Sequence, residues 1–199
     1  MRESSFGERK NSIFDRLFFL LRSRVIVSRL KKVRDPKTIL DLGCGYNAYF
    51  LSNITALLPS IQEAVGMDMS VNERLGSKKI TLVPGNLNKK LPFPDQKFDV
   101  VFSTAVLEHL NDWDYALREM HRVLKKGGYL FLTTPAPSAK PVLEFLAYTL
   151  KLIDEKEIRD HKKYFSRKEL KKLFSDLGYA RIRVAPFQFG LNTIAVCKK

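Results

Sequence analysis

The stretch from Thr38 to Asn47, Thr-Ile-Leu-Asp-Leu-Gly-Cys-Gly-Tyr-Asn, constrains the fold of this chain more than any other. Ile39, Leu40 and Leu42 form a short apolar run of the kind that makes a strand buried on both faces. Gly43 and Gly45 follow, and the pattern then turns helical. A strand, a glycine turn and a helix start make the nucleotide-binding corner of an α/β fold, because glycine lets backbone approach a ligand and the first helical N–H groups have no partner within the helix. Dinucleotide sites carry G-x-G-x-x-G and rest a pyrophosphate on that helix. Here Ala48 stands at the third glycine's place, and Asp41 sits beside the turn. A carboxylate in that position repels a pyrophosphate and suits a ligand bearing an ammonium or sulfonium group.

Further strands are predicted at residues 63–67, 80–83, 98–102 and 129–133, with a closing pair at 180–185 and 193–197. Helices are predicted at 46–58, 114–124 and 142–152, with another running from Ser166 to Leu177, where Ser166 and Glu169 form a capping box and Gly178 stops the helix. Lys125-Lys126-Gly127-Gly128 reads as a helix stop and turn. Strands alternating with helices argue for a mostly parallel sheet covered on both faces, and the short loop inside the closing pair argues that its strands are antiparallel. The 199 residues suffice for one packed domain, taken as residues 36–199, preceded by a basic helical extension over residues 1–35.

Asp41-Leu42-Gly43-Cys44-Gly45 resembles motif I of the class I S-adenosylmethionine-dependent methyltransferases, whose form is (D/E)-x-G-x-G-x-G. The likeness is to the small-molecule, type 11 branch. It spans residues 36–199 and is sharpest over 38–134. It implies a Rossmann-like, seven-stranded, mostly parallel sheet with an antiparallel last strand, S-adenosylmethionine as cofactor and S-adenosylhomocysteine as product. Asn47 replaces the last glycine of the motif, and Asn is expected to take the positive φ that the turn needs. On this reading Asp41, Gly43, Cys44 and Gly45 bind the cofactor at the turn. Asp68, ending the second strand, accepts hydrogen bonds from the ribose hydroxyls, with a helix cap before Ser70 as its plainer role. Met69 lies against the adenine. Asn86, before Leu87, stands where the family carries an acid that reads the adenine amino group. Its amide oxygen can accept that bond, or its NH₂ can face a ring nitrogen. Ser103, Thr104 and Ala105, at the carboxyl end of the fourth strand, fall beside the cofactor's methionine part. Asp99 opens that strand rather than closing it, which argues against a catalytic role.

Two histidines are candidate general bases. His109 lies in a Leu-Glu-His-Leu segment like the family's, and His161 lies in the His-Lys-Lys-Tyr-Phe-Ser segment before the late helix. The plainer reading of each is structural, His109 at a helix terminus and His161 in a surface loop with a capping residue. No metal is expected, because neither an H-E-x-x-H motif nor a Cys/His cluster is present.

The net charge of +14 lies entirely in the flanks. Residues 1–37 carry 11 Lys and Arg against 4 Asp and Glu, residues 151–199 carry 13 against 6, and residues 38–150 carry 11 of each. Basic flanks attract phosphate, nucleic acid or an anionic membrane surface, and serve equally as a solvated face. Residues 12–32, with Ser12 and Asp15 as a capping box, are predicted as a helix whose stripe of Ile13, Phe14, Leu17, Phe18, Leu21 and Val25 opposes its arginines. That helix is expected as a packed core element, a lid over the acceptor site or an anchor on a membrane. No uncharged apolar run reaches the roughly 18 residues of a membrane-spanning helix, and Cys44 and Cys197 make no disulfide framework. The expected setting is cytoplasmic, with peripheral contact at the inner membrane surface through residues 12–32.

The chain has no Pro-Pro-aromatic segment of amino-group nucleic-acid methylation and no cysteine where a cytosine nucleophile belongs. The expected acceptor is therefore a small molecule, glycan or lipid-linked compound, with phosphate as one feature that suits the basic flanks. An RNA acceptor and a non-catalytic cofactor-binding subunit partnering another protein are the alternatives.

Overall fold

The computed structural model describes residues 13–199. The capping pair expected of Ser12 and Asp15 lies outside the described residues. Helix α1 (Ile13–Leu30) leads into β1 (Thr38–Leu42), α2 (Tyr49–Leu57), β2 (Glu63–Asp68), β3 (Ile80–Pro84) and β4 (Phe98–Thr104). Then come α3 (Trp113–Val123), β5 (Leu124–Pro135), α4 (Ala139–Glu144), α5 (Glu155–Arg159), α6 (Arg167–Asp176), β6 (Arg181–Phe187) and β7 (Asn192–Lys198). The seven strands form one sheet in the order β3-β2-β1-β4-β5-β7-β6. The pairs from β3 to β5 are parallel, and β7 runs antiparallel to both β5 and β6. The predicted sheet and its reversed last strand are both present.

Side-chain alternation along the strands splits the interior into two cores. Leu40, Leu42, Val101, Leu130 and Leu132 face α3 and α6, meeting Leu117, Met120 and Phe174. Ile39, Val100, Phe102 and Phe131 face the other way, meeting Ile26 and Leu30 of α1 and Phe50, Leu51 and Ile54 of α2. The carboxyl half of α1 is thus core. Its amino half differs from the expected stripe, for Ile13 and Leu17 are exposed.

Asp99 clips the far edge of the sheet. Its carboxylate accepts from the Lys37 and Thr38 N–H groups at 2.8 Å each and pairs with Lys125 Nζ at 2.8 Å. Burial pushes the carboxyl up, but the Lys125 ammonium and these donors outweigh it and hold it below the usual range. Three local expectations fail. The Lys125–Gly128 turn is instead the opening of β5, which skips a register step between Phe98 and Val100. The helix expected over 142–152 stops at Glu144 and continues as one π turn, Phe145–Thr149. The helix expected from Tyr46 begins at Tyr49.

Candidate functional site

Strand order reverses at β1, with β2 on one side and β4 on the other. Ligands in open α/β sheets bind beyond the carboxyl ends of the strands at such a point. The Gly43–Ala48 turn leaves β1 there. Gly43 has φ +77°, and a Cβ on it would stand 2.1 Å from Val106 Cγ2, so only glycine fits. Gly45 is also left-handed at φ 76°, and the third left-handed residue of the turn is not Asn47 but Ala48, at φ 46°. The helix therefore begins a residue later than the glycine form of the motif suggests, at about 1–2 kcal/mol for an alanine in that region.

Asp68 closes β2, and its carboxylate braces this turn. Oδ2 accepts from the Gly45 N–H at 2.8 Å and Oδ1 from the Met69 N–H at 2.7 Å. No helix starts at Ser70, so the capping role is replaced by this brace. Met69 beside it is exposed. Asn86 forms a local turn in which Oδ1 accepts from Asn88 N and Nδ2 at 2.9 and 3.2 Å. That engagement leaves the NH₂ group, rather than the oxygen, as its recognition edge. Leu87 is buried in the core beneath.

Asp41 is 1% exposed, and neither carboxyl oxygen has a hydrogen-bond partner among the described residues. Burial first, and then the Asp68 charge, pushes its pKa up to about 8. A buried acid facing a cavity with no donor fits a cationic ligand group, so the ammonium of S-adenosylmethionine suits the site. The same burial and both acids push the Cys44 thiol far above its ordinary range, so it is inert. Ser103 is buried, with no hydrogen-bond partner for its hydroxyl among the described residues. Ala105 sits at φ 55° as the chain leaves β4, and its N–H donates to Thr133 O at 2.9 Å. Such strain in a non-glycine residue costs on the order of 1–3 kcal/mol and clusters at functional sites.

Asp41, Gly43, Cys44, Thr104 and Ala105 line one end of a cavity that runs on past them. Phe18, Phe19, Leu21 and Arg22 of α1 form one wall, and Leu143, Leu146, Ile153 and Ile158 form another. Glu108, His109 and His161 form a polar end. Gly45, Asp68, Met69, Asn86, Leu87 and Ser103 do not line this cavity. Both predicted histidines therefore share one space with the glycine turn. His109 Nδ1 lies 3.2 Å from Asp160 Oδ2, and His161 Nδ1 lies 2.9 Å from Tyr164 Oη. The two imidazoles meet edge to face, with centroids 4.8 Å apart. Burial pushes Asp160 up, but the Lys162 ammonium at 2.8 Å and the charge of His109 outweigh it and hold the carboxyl below its usual range. Burial, then Glu144, Glu108 and Tyr148, pushes Tyr164 up to about 12, so it stays protonated.

Sequence reasoning named neither Glu108 nor the Gln188–Phe189 tip as lining the cavity, whereas a lid over the acceptor site was one of its readings of the helix that now forms the α1 wall. Gln188 Nε2 donates to Phe18 O at 3.0 Å, tying α1 to the turn between β6 and β7. Gln188 and Phe189 have φ 50° and 57°, and Phe189 is fully exposed at the cavity's edge. A turn over residues 186–190 is expected from the sequence, but the left-handed backbone falls on Gln188 and Phe189 as well as on Gly190.

A seven-stranded sheet reversed only at β7, with a glycine turn, an orphaned acid and a joined cavity at the switch point, defines a class I S-adenosylmethionine-dependent methyltransferase. The family model described as "Methyltransferase domain" matches residues 15–184, so the chain belongs to that family. It is similar to the demethylmenaquinone methyltransferase of Bacillus cytotoxicus, 29% identical over 82% of this chain and 78% of the relative. The demethylmenaquinone methyltransferase of Geobacillus kaustophilus is 28% identical over 86% and 82%. Among solved structures, an S-adenosylmethionine-dependent methyltransferase from Mesorhizobium loti superposes with a TM-score of 0.67 at 17% identity, covering 88% of this chain and 96% of that one. The protein solved in complex with the Haloferax volcanii Trm112 methyltransferase activator gives 0.65 at 17% identity, covering 96% and 99%. At these identities the structures share the fold.

Proposed function

We propose that this enzyme methylates a small, largely apolar acceptor carrying an ionisable hydroxyl, of the quinol class named by its curated relatives. The observation that carries the reading is the continuous cavity, which joins the glycine turn to an apolar chamber with two imidazoles at its end. Asp41 holds the cofactor's ammonium, Asp68 its ribose hydroxyls, and Gly43, Cys44 and Gly45 offer backbone at the turn. Met69 and the Asn86 NH₂ serve the adenine, with Leu87 beneath, and Ser103, Thr104 and Ala105 flank the methionine part. S-adenosylmethionine supplies an electrophilic sulfonium methyl, so the chain's task is alignment and removal of one proton. Alignment contributes roughly 7–11 kcal/mol in well-oriented reactions. The Asp160 carboxylate beside His109 Nδ1 favours the tautomer with a proton there, leaving Nε2 as base. His161 is the second proton acceptor, and a positioned base adds on the order of 10²–10⁴-fold.

The face around the cavity suits an acceptor delivered from lipid. Leu17, Leu20, Val142, Phe145, Tyr148 and Phe189 are exposed, and α1 also carries Arg16 and Arg24. No helix of the described residues is long and apolar enough to cross a membrane. The reading therefore places the enzyme as a peripheral protein at an anionic membrane surface. The test follows labelled methyl from S-adenosylmethionine into reduced demethylmenaquinone presented in phosphatidylglycerol vesicles. Label in the quinone, falling at least 100-fold in His109→Ala, is expected. Cofactor binding with no label in the quinone contradicts the acceptor.

A further inference from the structure

We propose that Glu108, His109 and His161 form a binding site for a first-row divalent transition metal ion inside the acceptor cavity, with Asp160 and Tyr164 as its supporting shell. One ligand atom from each of the three lies within 4.8 Å of the other two. Two ligands on one zinc ion stand no more than about 4.2 Å apart, so the ion would draw these side chains together by a fraction of an ångström. Two imidazoles and one carboxylate are the borderline donor set that favours zinc or iron over magnesium or calcium.

Three features distinguish the trio from an ordinary polar patch. Glu108 is 1% exposed, so its carboxylate belongs to the cavity wall and not to the outer surface. The ligands come from segments far apart in sequence that are fastened together. The Lys162 N–H donates to Glu108 O at 2.7 Å, pinning the 160–164 loop to the 107–109 turn. Each histidine also has Nδ1 facing an oxygen, Asp160 Oδ2 for one and Tyr164 Oη for the other. A ligating histidine commonly donates its second ring nitrogen in this way, which fixes the ring and leaves Nε2 for the metal.

All three residues line the cavity, so an ion held by them has its remaining positions toward the acceptor. Such an ion would make a hydroxyl bound to it more acidic, and the imidazoles would be its ligands while it is held; in the metal-free enzyme they remain the bases proposed above. The proposal concerns metal binding alone and does not depend on which acceptor the enzyme uses.

The test is calorimetric titration of Zn²⁺ into chelator-stripped, untagged full chain, with Co²⁺ absorption as a second readout. One ion per chain is expected, with d–d bands of a four- or five-coordinate Co²⁺ site. His109→Ala and His161→Ala should each weaken binding at least 100-fold. Asp160→Asn should weaken it about 10–100-fold, as loss of a supporting hydrogen bond does. S-adenosylhomocysteine binding should persist in all three variants and report that they fold. Absence of stoichiometric binding, or binding that survives both histidine substitutions, overturns the site. Failure of methyl transfer to quinols leaves this result untouched.

Discussion

Asp41 carries the account at the scale of single residues. Its folded pKa near 8 stands above the unfolded value of 3.8, so the stabilising balance is complete below about pH 4 and is lost as pH rises through 8. Asp41→Asn mimics the protonated acid. It should leave the melting temperature nearly unchanged at pH 4 and raise it increasingly toward pH 8.5, with a ceiling on the order of 5 kcal/mol. Thermal unfolding across that range checks this, and equal shifts at both ends contradict it. A cofactor ammonium favours the ionised form, so binding at pH 7 should release a proton, visible as buffer-dependent heat and absent in Asp41→Asn. The motif was legible as residue types, since an acid before two glycines needs no tertiary information. What it hid was the strain, because φ at Ala48 and Ala105 is set by neighbours that the local sequence does not name. Asn47→Gly should therefore bring no gain in melting temperature, since residue 47 is not at positive φ.

Elements divide between those that frame the sheet and those that shape the cavity. Asp99→Ala removes the clip between β1 and β4 at the end opposite the glycine turn. It should cost about 1–3 kcal/mol in urea unfolding and leave S-adenosylhomocysteine affinity unchanged. Ser166 Oγ accepts from the Glu169 N–H at 3.1 Å, and Ser166→Ala should cost about 1 kcal/mol by the same measurement. The central strands were readable as apolar runs bounded by turn residues, β6 as an alternation of Arg181 and Arg183 with Ile182 and Val184, and the Ser166 cap because its partner lies three residues on. The break after Glu144 and the short α5 were not readable. Their segments face the cavity instead of closing over a core, so their apolar side chains lack one helical period. Glu108 escaped for a related reason, since its neighbour in space His161 lies 53 positions later and only the fold brings them together.

At the scale of the whole molecule, charge and exposed apolar side chains act together. Co-sedimentation with phosphatidylglycerol vesicles should be strong at low salt and fall as screening grows, whereas neutral vesicles should bind little. Leu17→Glu with Phe189→Ser should weaken that binding without shifting the melting temperature by more than a degree or two, because both side chains are exposed. The sequence reading put the proposed contact on residues 12–32 alone, because the exposed apolar side chains of the π turn and the β6–β7 tip join that face only through the fold. The central claim is that the turn after β1 is an S-adenosylmethionine site opening into the acceptor chamber. Its most direct test is thermal unfolding with S-adenosylmethionine, S-adenosylhomocysteine and NAD, each at 100 times an expected Kd. Stabilisation by about 2.7 kcal/mol with the first two and none with NAD is the predicted result. Stabilisation by NAD, or by none of the three, contradicts the account.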